Sequence, residues 1–158
     1  MQEKINKMTL KFISLSENEP FARSCVQAFC LPLNPTVVEL NDVKTAVSEA
    51  VTNCIVHAYP DSCGYVSIEA EAFQSHVHIK ISDSGNGIED VTKAVEPFFT
   101  TKPDDERSGM GFTVMKAFMD DVKVFSKKGE GTTVEMTKVF SSAPVDDSLP
   151  QSTWGNNA

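Results

Sequence analysis

Positive charge is scarce in this chain. Its 14 lysines and arginines are outnumbered by 22 aspartates and glutamates, leaving a formal net charge of −8 over 158 residues. Nucleic acid and anionic lipid are held by clustered cations, so this balance excludes a general affinity for either. Any anionic ligand must be gripped locally. Cysteine is sparse too: Cys25, Cys30, Cys54 and Cys63 form no CxxC pair and no zinc-like spacing with histidine, and they read as reduced packing residues. No apolar run approaches the roughly 18 residues that cross a bilayer, and the first residues are too polar for a signal peptide, so the expected address is the cytoplasm. The chain also lacks GxxxxGK(S/T) and regular βαβ alternation, which excludes a P-loop enzyme and a doubly wound Rossmann sheet.

What is present suffices for one domain with a proper core, because 41% of residues are apolar and 23% charged, close to globular averages. "MTLKFISL" alternates, with Leu10, Phe12 and Met8 on one face, as a first strand does. "SENEPFARSCVQAFCL" predicts a helix with Ser16 as N-cap, Glu19 completing a capping box, and Phe21, Cys25, Ala28 and Phe29 as its apolar stripe. A second helix is expected from about Thr36 to His57, buried along Val43, Val47, Ala50, Val51 and Cys54. "GYVSIEAEAF" with "HVHIKISDS", and "DVKVFSKK" with "TTVEMTKVF", read as two antiparallel hairpins. Between them lie a glycine-bearing loop, a short helical pattern at Ile88–Val95, a polar stretch and a helix from about Met110 to Met119. Strands with helices grouped among them imply a two-layer α/β sandwich, a mixed or antiparallel sheet covered on one face. The domain is expected to span 1–140, and the polar segment 141–158 to be a disordered or loosely attached tail.

Four stretches have the makings of a site, and each has a bland alternative. In "DSGNGI", Asp83, Gly85 and Gly87 follow a strand; an Asx turn explains them as well as a ligand does. In "ERSGMGF", Gly109 and Gly111 stand at a helix start, where free N–H groups favour phosphate, yet a capped helix looks the same. "PFFTTKPDDERSG" holds Lys102 and Arg107 within phosphate reach, or is a solvated loop. Glu49 and Asn53, four residues apart, share a helix face, so one ligand can touch both; taken alone, a solvated Glu and a locally bonded Asn are the simpler account. His76 and His78 alternate with Val77 and Ile79 and read as surface residues, and His57 as a helix C-terminal cap.

The ordered set "EAVTN", "DSGNGI", "SGMGF" and "GTT" resembles the N box and glycine boxes of the GHKL ATPase and kinase superfamily, with its Bergerat ATP-binding fold. The likeness runs from about Leu10 to Val139. "SENEPFAR", "VSEAVTN", "FTTKPDDERSGMGF" and "FMDDVKV" narrow it to the anti-sigma factor serine kinases, and within them to the sporulation anti-sigma F group. "HAY" departs from the "HGY" expected there, and the tail is unusually long.

The resemblance implies ATP or ADP with Mg²⁺ as cofactors. It makes Asn53 the Mg²⁺ ligand, Glu49 the base toward a substrate serine, and Asp83 the acceptor for the adenine amine. Gly85 and Gly87 would let base and sugar pack on the turn. Ser108, Gly109, Met110 and Gly111 would face the phosphates, with Thr100, Thr101 and Lys102 in the lid, and Thr132 would lie near adenine. Arg107 would stabilise the transferring phosphoryl group. The implied partners are a sigma factor, an anti-anti-sigma factor carrying the serine, and a second copy of the chain in a homodimer. Glu19 and Arg23 match the partner-contacting part of the first helix, although a plain surface ion pair would look alike. Three rivals remain open: a stress-response rather than a sporulation anti-sigma kinase, an ATP-regulated sigma-binding module without kinase activity, and, suggested by "EPFFTTK", a histidine-kinase catalytic domain. The last needs a dimerising hairpin with an acceptor histidine, and no segment before Met8 is expected to supply it.

Overall fold

The computed structural model describes residues 3–89, 91 and 111–141. These build a five-stranded sheet in the order β1-β2-β3-β5-β4, with β1 at Lys4–Ile13, β2 at Tyr65–Phe73, β3 at His76–Asp83, β4 at Asp121–Lys127 and β5 at Gly131–Val139. Every neighbouring pair is antiparallel, including β3 with β5, so the sheet is antiparallel throughout. Both expected hairpins form. β1 begins four residues earlier than the alternating run alone suggested.

Alternation sorts the strands into two faces. Phe12, Val66, Ile68, Ala70, Val77, Ile79, Ile81, Val134 and Met136 turn inward and are buried. Helices α1 (Asn18–Cys30), α2 (Val37–Asn53) and α3 (Gly111–Phe118) cover that face. α2 lies between the other two and packs on both. Its Val43, Ala46, Val47, Ala50 and Val51 are fully buried, as the helical period required. The start of α2 is secured by a capping box: Thr36 Oγ1 accepts from Glu39 N at 3.1 Å while Glu39 Oε2 accepts from Thr36 N at 2.8 Å.

Two expectations about α1 are overturned. Ser16 and Glu19 form no capping box; the N-cap position is Glu17, without a side-chain bond, and Glu19 turns to Arg23 at 3.7 Å. Asn18 secures this end instead, its Nδ2 donating to Ile13 O at 2.8 Å. The buried stripe is Ala22, Val26 and Cys30, one position on from the expected one, and Phe21 is half exposed. The helix begins one residue later than expected, with Glu17 and not Ser16 at the N-cap position, and its inward face is the one that carries small Ala22. Cys63 is exposed and so is no packing residue, whereas Cys30 and Cys54 are buried; all four cysteines are free.

Ser141, placed by sequence at the root of the tail, is held. Its N–H and hydroxyl donate to Glu39 Oε1 at 2.8 and 2.6 Å, fastening the end of β5 to the start of α2. Residues 142–158, and the helical pattern at Ile88–Val95 beyond Ile88, Glu89 and Val91, lie outside the described residues.

Candidate functional site

After Asn53 the helix widens into one π-type turn, Cys54–Ala58. Such turns occur often at functional sites because they redirect the side chains just before them. Here the two in question are Glu49 and Asn53, both half-buried. The first residue of α3 sits directly over them: a Cβ built on Gly111 would lie 3.3 Å from Asn53 Nδ2, 3.4 Å from its Oδ1 and 3.5 Å from Glu49 Oε2. The structure therefore brings together a carboxylate, a carboxamide and a helix N-terminus that the sequence keeps nearly sixty residues apart. The missing Cβ is what allows α3 to start this close to them.

Asp83 ends β3 on the helix-covered face. Its Oδ1 accepts from Gly85 N at 3.0 Å and from Thr132 N at 3.2 Å, so the Asx turn is real and one carboxylate oxygen is occupied by structure. The Cys54 thiol also meets this carboxylate. Burial pushes the thiol well above its usual range, and the charge and hydrogen bonding of Asp83 add to it, so Cys54 is a neutral donor, not a nucleophile.

Gly85 and Gly87 are required by close approach. A Cβ at Gly85 would stand 2.3 Å from Ala58 O, and Gly87 combines φ 71° with a Cβ position only 2.0 Å from Lys127 O. The turn is thus wedged between the π-type turn and the β4–β5 hairpin, and Asn86 N donates to Ala58 O at 3.0 Å while Gly129 N donates to Asn86 O at 2.6 Å. Tyr59 ties down the other side, its hydroxyl accepting from Ser84 N at 2.7 Å and donating to Tyr65 O at 2.9 Å. A cleft of about 370 Å³ opens there, lined by Lys11, Tyr65, Ser67 and Ser82 and reaching Asp83; Glu49 and Asn53 are not part of it.

Thr132 and Ser126 face one another across β5 and β4, with 2.7 Å between their hydroxyl oxygens. Ser126, Cys54 and Tyr59 were not singled out by the sequence. Only the alternation of β4, which turns Ser126 to the same side as Val122 and Val124, could have pointed to the first. Thr100, Thr101, Lys102, Arg107, Ser108, Gly109 and Met110 lie outside the described residues. Glu19 and Arg23 pair on α1, on the far side of α2 from α3. Glu19 Oε1 is buried and has no hydrogen-bond partner among the described residues. His78 lies on the open face, 3.7 Å from Glu135, and His76 stacks on Phe73 with centroids 4.4 Å apart, as surface positions should.

Among the described residues no three His, Cys, Asp or Glu side chains converge to hold a metal. A cation at Asn53 would therefore take most of its ligands from phosphates and water, the usual habit of Mg²⁺.

Comparison with known proteins places this arrangement. The family described as "Histidine kinase-like ATPase domain" matches residues 14–138. The anti-sigma F factor of Caldanaerobacter subterraneus subsp. tengcongensis is 55% identical over 133 residues, covering 84% of this chain and 93% of that protein. Those of Thermoanaerobacter sp. and Clostridium beijerinckii are 51% and 56% identical, covering 89% and 86% of this chain and 98% and 96% of theirs. Among solved structures, the RsbU and RsbW domains of a Mycobacterium tuberculosis protein superpose with a TM-score of 0.63 at 15% identity, over 87% of this chain and 34% of that one. The catalytic domain of the histidine kinase ThkA gives 0.52 at 18% identity, over 84% and 96%. Both structural likenesses concern the fold. A family model over most of the chain and relatives above half identity concern ancestry: the chain belongs to the histidine kinase-like ATPase domain family and, within it, to the anti-sigma F factor family.

Proposed function

We propose that this chain is an ATP-dependent serine protein kinase that also sequesters a sigma factor. In the ATP-bound state it holds the sigma factor; it phosphorylates a serine of an anti-anti-sigma factor, and nucleotide state governs release and recapture. The observation that carries this reading is the meeting of Glu49, Asn53 and the N-terminus of α3 at Gly111. Support also comes from the names of the relatives, which are anti-sigma F factors.

The residues fit magnesium nucleotide. Asn53 offers a neutral oxygen to the cation, and the absence of a Cβ at Gly111 gives the phosphates access to free N–H groups. Bound Mg²⁺ would supply charge neutralisation on the phosphates. Glu49, a helical turn before Asn53, is positioned to accept the proton of a serine hydroxyl; in a loose transition state this contributes about 10² to 10⁴. Asp83 would receive the adenine amine, with Thr132 beside it. Arg107 would stabilise the transferring phosphoryl group, and Thr100, Thr101, Lys102, Ser108, Gly109 and Met110 would close around the phosphates.

Glu19 and Arg23 are assigned to partner contact. A common surface for both partners makes their binding exclusive, so nucleotide state can choose between them. The working unit is a homodimer in the cytoplasm serving sporulation. The test is incubation of the full chain with labelled ATP, Mg²⁺ and a candidate anti-anti-sigma protein. Label on a serine of that protein supports the reading, sigma binding without transfer favours a binding module lacking kinase activity, and label on a histidine overturns the serine assignment. Light scattering of the same protein tests the dimer.

A further inference from the structure

The proton count around Ser126 carries an inference beyond the residues assigned above. Ser126 Oγ makes three contacts at once: it accepts from Ile88 N at 2.7 Å, reaches Gly131 O at 3.0 Å, and meets Thr132 Oγ1 at 2.7 Å. A hydroxyl has one proton, and a carbonyl can only accept. The bond to Gly131 O therefore uses the Ser126 proton, and in the contact with Thr132 the donor is Thr132. That leaves the Thr132 hydroxyl with lone pairs alone for any ligand.

Thr132 is also the residue whose N–H reaches Asp83 Oδ1. Both side chains lie on the helix-covered face at the same end of the sheet, beyond the apolar row of Ile81 and Val134. A carboxylate oxygen and a hydroxyl whose proton is committed to a hydrogen bond form a surface that accepts and cannot donate. Such a surface suits an amino group and repels a carbonyl.

We propose that Ser126 is a positioning residue for base selection: it accepts the hydrogen bond of the Thr132 hydroxyl, so that Thr132 and Asp83 together favour a 6-amino purine over a 6-oxo purine. This rests on the reading of Asp83 as the base-binding acid. Ser126 touches no ligand itself. Its hold on Ile88 N also fixes the segment after the glycine turn, which a purely structural role would share, so the test must separate the two.

The experiment measures Kd for ATP and for inosine triphosphate, both with Mg²⁺, on the full-length wild type, Ser126→Ala, Ser126→Thr and Thr132→Val. In Ser126→Ala the freed Thr132 proton can donate to a 6-oxo group, and the ratio of the two Kd values falls about five- to tenfold, the effect of one hydrogen bond. Ser126→Thr keeps a hydroxyl and keeps the ratio. In a Thr132→Val background, Ser126→Ala leaves the ratio unchanged. An undiminished ratio in folded Ser126→Ala overturns the inference while leaving the nucleotide site standing, and this holds even if the melting temperature drops. Failure of the wild type to bind either nucleotide overturns the nucleotide reading itself.

Discussion

Replacing Gly111 by alanine separates the fold from the chemistry. The backbone there is not in the left-handed region, so a side chain is conformationally allowed. Within a helix alanine is favoured over glycine by up to about 1 kcal/mol, less in a first turn. Against this, the new methyl would meet Asn53 Nδ2 at 3.3 Å and Oδ1 at 3.4 Å, tighter than most carbon contacts, and Glu49 Oε2 at 3.5 Å. The Asn53 side chain can give by a few tenths of an ångström, so the net change in stability stays within about 1 kcal/mol. For a chain of this size that is a melting shift of no more than about 4 °C. The chemistry is less forgiving. On the proposed reading the methyl would stand where phosphates approach the helix N-terminus and would turn the amide that holds the cation; a misplacement of about 1 Å costs about 10²-fold in rate, so the shift of a few tenths of an ångström should cost several-fold, with that figure as the upper bound. Thermal melting and labelled phosphoryl transfer, run side by side on wild type and Gly111→Ala, read both quantities. A folded Gly111→Ala protein with undiminished transfer would refute the placement of the reaction at Glu49 and Asn53.

Asp83→Asn keeps the shape of the turn but removes the charge and puts an amide NH2 donor where the proposed site has an acceptor; calorimetry should find ATP binding weakened about 10- to 100-fold, the range for a hydrogen bond to a charged group. Gly131→Ala should be destabilising by about 2 to 3 kcal/mol in urea unfolding, because φ there is 92° and a Cβ would stand 2.2 Å from Asp83 O. Desolvation acts to raise the Glu39 pKa, but hydrogen bonds from Ser141 and Thr36 outweigh it and bring the carboxyl down from 4.5 to about 2. A lowered folded-state pKa gives stability that is present above pH 4.5 and lost as pH falls toward 2. Since Glu39 is largely open to solvent, the effect is below about 1 kcal/mol, and Glu39→Gln should flatten this part of the stability–pH curve and lower the plateau above pH 4.5 by no more than that amount.

The sequence disclosed the sheet because both hairpins alternate cleanly, and it disclosed α2 because small and branched apolar residues recur at helical spacing from Val43 to Cys54. It misled at α1, where Ser16 and Glu19 have the right spacing for a capping box but Asn18 takes over that end of the helix. The functional elements were legible as separate pieces. Glu49 and Asn53 could be put on one face by counting, whereas their contact with Gly111 depends on α2 and α3 packing side by side, which no local pattern encodes. Ser126 is hidden for a like reason: alternation puts it on the side of Val122 and Val124, but its contacts with Ile88 and Thr132 depend on a neighbouring strand and a loop that no local pattern encodes. The glycines of "DSGNGI" read as turn formers, and Gly85 is dictated by the Ala58 carbonyl against which it lies.

Titration calorimetry of the full chain with ATP and Mg²⁺, compared with Asn53→Ala under the same conditions, tests the central claim most directly. Wild type should bind with measurable heat that is weakened when Mg²⁺ is chelated. Asn53→Ala should still bind the base but lose that dependence on the cation. Absence of heat with well-folded wild type at millimolar nucleotide, or an Asn53→Ala titration identical to wild type with and without Mg²⁺, would contradict the claim that α2 carries a magnesium nucleotide site.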